Sequence, residues 1–338
     1  MIKLYTTCFR DKEAVSAIRS LSRMMEKCPY DNDREAHCVY VDEYADILYD
    51  FFAIFEESEE GRPFVELLHE DWELFNEDMP GYRRFLDALL EDLHISIAAG
   101  TKVTYISSIR ECVGLWDKLK QTLIGERRFI LKNGESPADY EWDRLLLPNL
   151  QMGADETLYR ARINEENTPK YQNTEMSAPP VQKTPDGRAN SAGIPVLYLC
   201  KDRETAAYEV RALHNDAITI GEFKVVKGVK LDIVDFTAMP SIFNDAGSLD
   251  AAMRYLLMRR ISRDLSRPMR RYSRKTEYVP TQYICEFIRF VIGADAIQFA
   301  SSLNEGGINL VVFDPHKMEC VGTQLYTVSD YQLKIQQV

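Results

Sequence analysis

The chain has 338 residues, 45% hydrophobic and 28% charged, the balance of an ordinary globular protein with room for two domains. Seven cysteines, scattered and odd in number, exclude a disulfide framework, and no apolar run approaches the ~18 residues a membrane span needs. The net charge of −12 is unevenly spread: Val41–Gly100 holds seventeen acids against Arg62, Arg83 and Arg84, whereas Ala251–Pro280 holds nine bases against Asp264 and Glu277. That division argues against a whole-molecule nucleic-acid binder. The basic run reads either as a solvated helix face complementing the acidic half or as a phosphate-binding patch. The N-terminus, "MIKLYTTCFRDKE", meets charges too early for a secretory signal, so a reduced, cytoplasmic protein is expected.

In chain order, the first half is helical in pattern. "DKEAVSAIRSLSRMMEK", "DEYADILYDFFAIFEE", "PGYRRFLDALLEDLH" and "ECVGLWDKLKQTLIGERRFILK" place apolar residues three and four apart, the helical period. The segment "LLLPNLQMGADE" around Pro148 breaks the pattern and marks the expected boundary between a helical domain, 1–147, and a second domain, 148–338. After a short strand, the polar stretch Ile163–Gly187 is expected to be a mobile loop. "IPVLYLC", "IGEFKVV", "GVKLDIVDF", "GINLVVFD" and "CVGTQLYTV" read as strands, and "RETAAYEVRAL", "LDAAMRYLLMRRISRDL" and "PTQYICEFIRFVIG" as helices between them. Their irregular alternation predicts an α+β fold, all-α in its N-terminal domain.

Several chemistries lack support. No glycine-rich dinucleotide or P-loop motif, nucleophile elbow or H-E-x-x-H zinc motif occurs, and the five histidines are dispersed. Cys28, His37 and Cys38, with Cys8 upstream, form the nearest approach to a metal cluster, but without paired C-x-x-C spacing ordinary reduced cysteines are the preferred reading.

The stretch "GRANSAGIPVLYLCKDRETAAYEVR", Gly187–Arg211, is more informative. Arg188 leaves a glycine-marked loop, where a guanidinium can clamp phosphate oxygens. Tyr198 ends an apolar strand and offers a ring face for stacking on a heterocycle. Glu209 lies on a short amphipathic helix beside Ala206, Ala207 and Val210, where apolar neighbours strengthen its attraction for a developing positive charge. Together the three suit a diphosphate joined to a ribose whose glycosidic bond breaks with oxocarbenium character; singly, each residue type is commonly structural.

With Arg160 in "LYRAR", followed in order by "YVPTQYICEFI" and "DAIQFASSLNEGGINLVVF", this stretch resembles the RES domain family, named for its arginine, glutamate and serine. The likeness runs from about Thr157 to Asp314. Through "DWELF" and "LWDKLKQTLIGERRF" the first half is similar to the HEPN-like domain that precedes some RES domains. Such domains often begin with paired C-x-x-C motifs; here Tyr5 and Asp31 stand where two cysteines would, so zinc at Cys8 and Cys28 is not expected. The arginine–histidine motif of HEPN ribonucleases is missing as well.

The resemblance implies a split mixed sheet like that of ADP-ribosyltransferases, built around an NAD cleft. It implies a toxin that cleaves the nicotinamide–ribose bond of NAD, as a glycohydrolase or phosphorylase, in a toxin–antitoxin or defence setting. The alternatives are mono-ADP-ribosyl transfer to a macromolecule and a catalytically silent interaction module. Carried over by position, Glu209, Arg188 and Ser301 are the catalytic candidates, and Arg188, Tyr198 and Arg160 the substrate-binding ones. NAD is the implied substrate and a protein antitoxin or immunity protein the implied partner; no metal, membrane or nucleic acid is expected.

Overall fold

A computed structural model describes residues 1–166, 168–243, 249–268 and 275–330. Of the basic run, Arg270, Arg271 and Arg274 lie outside the described residues. Two compact units are present: Met1–Asp117 with Met239–Arg259, and Lys118–Ala238 with Arg260–Val338.

The first unit is built around α1 (Lys12–Leu21), α2 (Ala45–Phe52), α3 (Phe64–Asp71) and α4 (Tyr82–Asp92), and α5 (Ser107–Gly125) begins in it. Their apolar faces bury Ile18, Leu48, Phe51, Phe52, Phe64 and Phe85 in one core. Local sequence sets the helix limits. The Asp11 side chain accepts the Ala14 amide at 2.8 Å and starts α1, an N-cap that satisfies an otherwise unpaired donor. Unlike the all-α domain expected, this unit also contains sheet. β1 (Lys3–Tyr5), β2 (Met25–Cys28) and β3 (Arg34–Tyr40) form one small antiparallel sheet, and β4 (Phe55–Pro63) pairs with β5 (Lys102–Tyr105). Strands of three or four residues are too short to register against a helical period, and β4, "FEESEEGRP", carries acids in place of an apolar alternation. Within this unit Tyr255 stacks on Trp72 at 4.5 Å between centroids, and Arg259 pairs with Glu73 at 2.7 Å. One member of the basic run thus neutralises one member of the acidic stretch.

The Sγ atoms of Cys8 and Cys28 lie 3.8 Å apart in the core. The contact with Cys8 lowers the Cys28 thiol pKa, and the same contact, with burial, raises that of Cys8. His37 instead turns its Nδ1 to Ser22 Oγ at 3.4 Å. Among the described residues no group of three or more His, Cys, Asp or Glu side chains is placed to hold a metal ion. No described helix is long and apolar enough to cross a membrane.

The second unit holds a mixed eight-stranded sheet, and with it the α+β class is met. Its strands are β6 (Leu150–Met152), β7 (Leu158–Ile163), β8 (Leu197–Cys200), β9 (Ala217–Val225), β10 (Leu231–Asp235), β11 (Ala296–Ala300), β12 (Ile308–Val312) and β13 (Met318–Thr327), in the order β13-β9-β7-β8-β12-β11-β10-β6. Only β10 and β11 run parallel; the other neighbours are antiparallel. One face buries Leu197, Leu199, Phe223, Leu231, Leu310 and Val312. The helices are α6 (Trp142–Leu145), α7 (Arg203–Glu209), α8 (Leu249–Leu265), which began in the first unit, and α9 (Val279–Phe287), continued by a π turn over Ile288–Ile292.

Between β7 and β8 the sheet splits. These neighbours share a single pairing, Tyr159 with Cys200, although β7 pairs with β9 over six residues and β8 with β12 over four. No pairing between these two strands follows Tyr159, and Pro179 and Thr184–Gly187, from the segment Ile163–Gly187, line the opening. This segment is better anchored than the mobile loop expected from composition. Met176 is fully buried, Tyr171 N donates to Thr219 Oγ1 at 3.1 Å, and Lys170 Nζ donates to Thr323 O at 2.9 Å. The side chains of Arg160 and Arg162 on β7 satisfy the carbonyls of Met176 and Ser177 in this segment.

Candidate active site

At the split lies a cleft of about 380 Å³ lined by Arg160 on β7, Arg188 in the loop before β8, Tyr198 on β8, Glu209 at the end of α7, Ser302 after β11 and Asn309 on β12. Alternation places Tyr198, Cys200, Phe299 and Asn309 on the sheet face opposite the Leu199–Leu310 core.

Local chemistry fixes Glu209. Asp202 caps α7, accepting the Thr205 amide at 2.7 Å and the Thr205 hydroxyl at 2.7 Å. Two turns later the helix ends on Glu209, whose Oε1 accepts Ser301 Oγ and Asn309 Nδ2, each at 2.7 Å. Ser301 has little freedom to do otherwise. Its oxygen already accepts the amides of Leu303 at 3.1 Å and Asn304 at 3.2 Å, so the single hydroxyl proton goes to the carboxylate. Glu209 Oε2 has no partner among the described residues. The tight return into β12 requires glycine at 307, where a Cβ would stand 2.4 Å from Thr205 Oγ1.

A frame of hydrogen bonds holds the loop that carries Arg188. Gly187 and Asn190 form a bridge, Gln282 Nε2 on α9 donates to the carbonyls of both at 2.9 Å, and Ser191 Oγ donates to Gln282 Oε1 at 3.3 Å. The Tyr198 hydroxyl completes the frame, accepting Ala189 N at 3.0 Å and donating to Asn190 Oδ1 at 2.9 Å. Burial raises the pKa of that phenol, keeping it protonated. Tyr198 therefore spends its hydroxyl on the loop and leaves its ring to the cleft. A Cβ on Gly187 would stand 2.4 Å from the Tyr198 oxygen. Gly187→Ala is therefore expected to displace the ring and cost roughly 1–3 kcal/mol, the scale of overpacking; a denaturation midpoint equal to wild type in urea would contradict it.

Two guanidinium groups face the cleft without a carboxylate in ion-pairing range among the described residues. Arg160 donates to the carbonyls of Met176 at 3.0 Å and Ser177 at 2.6 Å. Burial, and secondarily the charge of Arg162, bring its pKa down to about 10. Arg188 donates to the carbonyls of Asp264, Leu265 and Arg267 at the C-terminal end of α8, and to Ser302 Oγ at 3.4 Å; burial lowers its pKa too. Both cations are hydrogen-bonded to neutral acceptors, and Arg188 also feels the Glu209 charge across the cleft; the charged oxygens of a bound anion would be stronger partners for both.

Residues 157–332 match the family model of the RES domain. The chain belongs to the RES domain family. Among solved structures, the M. tuberculosis MbcT–MbcA toxin–antitoxin complex matches with 14% identity and a TM-score of 0.30, over 53% of this chain and 88% of that one. No curated protein matches.

All five positions singled out in the sequence lie in or beside the RES cleft. Arg160, Arg188, Tyr198 and Glu209 line it, and Ser301 reaches Glu209 from behind. The adjacent serines divide their contacts, Ser301 to the glutamate and Ser302 to Arg188. Sequence reasoning missed Asn309 and Gln282. Both are polar residues inside apolar runs, "GGINLVVF" and "YVPTQYICEF", and both are buried. A buried amide needs partners, and that need was the available signal.

Proposed function

We propose that this RES domain cleaves the nicotinamide–ribose bond of NAD. Its diphosphate would lie on Arg188 and Arg160. To take the diphosphate, Arg188 exchanges neutral carbonyl acceptors for charged oxygens, the stronger partners for a guanidinium. The nicotinamide ring would stack on the Tyr198 ring. Glu209 Oε2 would face the ribosyl carbon, where the departing neutral nicotinamide leaves an oxocarbenium ion stabilised by the carboxylate. A single observation carries the reading: a carboxylate fixed through one oxygen by two donors, with its other oxygen unpartnered, in a cleft that also holds two carboxylate-free guanidiniums.

Purified protein incubated with NAD is expected to release nicotinamide, followed by chromatography. Free ADP-ribose, ADP-ribose 1″-phosphate or a protein-bound label would then identify water, phosphate or protein as the acceptor. No nicotinamide from the full chain under any of these conditions would reject the reading. On the same reading we place the protein in the cytoplasm as a toxin restrained by a protein antitoxin. Membership of the RES family supports that setting, and growth arrest on expression, relieved by an adjacently encoded protein, is the expected result.

A further inference from the structure

We infer that Asn309 is a positioning residue for Glu209, itself oriented by the Cys200 thiol, so that β8 and β12 aim the carboxylate. The inference rests on the reading of the cleft given above and goes beyond the residues assigned there.

Asn309 stands opposite Cys200 on one side and Phe299 on the other, in the middle of the sheet. Its side chain is spanned by two contacts: Cys200 Sγ donates to Oδ1 at 3.3 Å, and Nδ2 donates to Glu209 Oε1 at 2.7 Å. An amide has two ends, and only one orientation places an N–H on the carboxylate. The carboxylate calls for the N–H, and the thiol reinforces that orientation, because a sulfur hydrogen offered to Oδ1 would meet no acceptor if the amide were turned over. Burial raises the Cys200 pKa, so the thiol remains a neutral donor. Cys200 also forms the single pairing between β7 and β8, so the strand position that opens the cleft also sets the amide. Among the described residues, the charged and titratable groups facing Glu209 are Arg188 from the cleft loop and Cys200 from β8, with Asp202 bearing on Cys200, and Tyr278 and Tyr198 on Arg188.

Asn309→Asp tests the placement. It puts a second carboxylate against Oε1, and two carboxylates at that spacing share a proton. The pair then reaches its fully charged form only at higher pH, so the acid limb of kcat for nicotinamide release is expected to move up by at least about one pH unit. Asn309→Ser shortens the side chain, so that its hydroxyl falls short of the Oε1 that the amide reaches. It should lower kcat about tenfold, the scale of one lost hydrogen bond, with KM for NAD within about twofold, since the amide touches Glu209 and not the diphosphate. Cys200→Ser, which keeps a donor, should retain more activity than Cys200→Ala. An acid limb in Asn309→Asp superimposable on wild type, or a loss in Asn309→Ser carried by KM alone, would overturn the inference. Absence of nicotinamide release from the wild-type chain would instead reject the underlying reading, so the two failures are distinguishable.

Discussion

Glu209→Gln is expected to reduce nicotinamide release from NAD by about 10²-fold or more, the effect of deleting one preorganised electrostatic group. The substitution is nearly isosteric, so it isolates charge. The Ser301 and Asn309 donors that meet Oε1 at 2.7 Å can still meet the amide oxygen, leaving α7 and the β12 return in place. What is lost is the negative charge at the second oxygen, opposite a ribosyl cation that forms only in the transition state. The loss should therefore fall on kcat, with binding of ADP-ribose changed little. Turnover of the variant within a few-fold of wild type would remove Glu209 from the chemistry. Loss of ADP-ribose binding with kcat intact would reassign it to substrate recognition.

Phe223→Ala should produce the largest loss of stability, about 3–5 kcal/mol for a phenylalanine truncated in a packed interior. Phe223 is 1% exposed on β9, shares a core with Leu158 and Met176, and pairs with Leu158 and Cys320. Phe223 shares a sheet face with Arg160 through the β7–β9 pairing, yet it is not among the residues that line the cleft. Urea denaturation should show a lower midpoint with unchanged slope, because the surface exposed on unfolding is the same. ADP-ribose at about 100 times its Kd should restore about 2.7 kcal/mol through mass action. Recovery in both the variant and the wild type identifies a preserved cleft. A loss below about 1 kcal/mol would mean that neighbours collapse into the vacated space and that the core is looser than its burial implies.

The unevenness of what sequence revealed has a physical basis. Strands such as "INLVVF" in the second unit and helices such as "LDAAMRYLLMRRISRDL", which begins in the first unit, carry runs long enough for their period to be read, and they appear at β12 and α8. β1 and β2, of three and four residues, carry no readable period; long-range pairing with β3 holds them instead. The Ile163–Gly187 segment shows the same limit from the opposite side. Its composition is that of a loop, but contacts to Thr219 and Thr323 anchor it.

For the site, the sequence alone determined the chemistry on offer: a guanidinium at 188, an aromatic ring at 198, a carboxylate at 209 and a hydroxyl at 301, in an order that resembles the RES family. These are properties of residue types and their spacing. Only the tertiary structure decided that Arg160, already a candidate by resemblance, stands across a split in the sheet from the others, that Ser301 takes the glutamate while Ser302 takes Arg188, and that Asn309 and Gln282 hold the frame. Those assignments depend on which strands lie side by side and where a pairing stops. Hydrogen bonds to Glu209 from residues 92 and 100 positions away leave no trace in local periodicity, because they exist only once β12 has taken its place between β8 and β11.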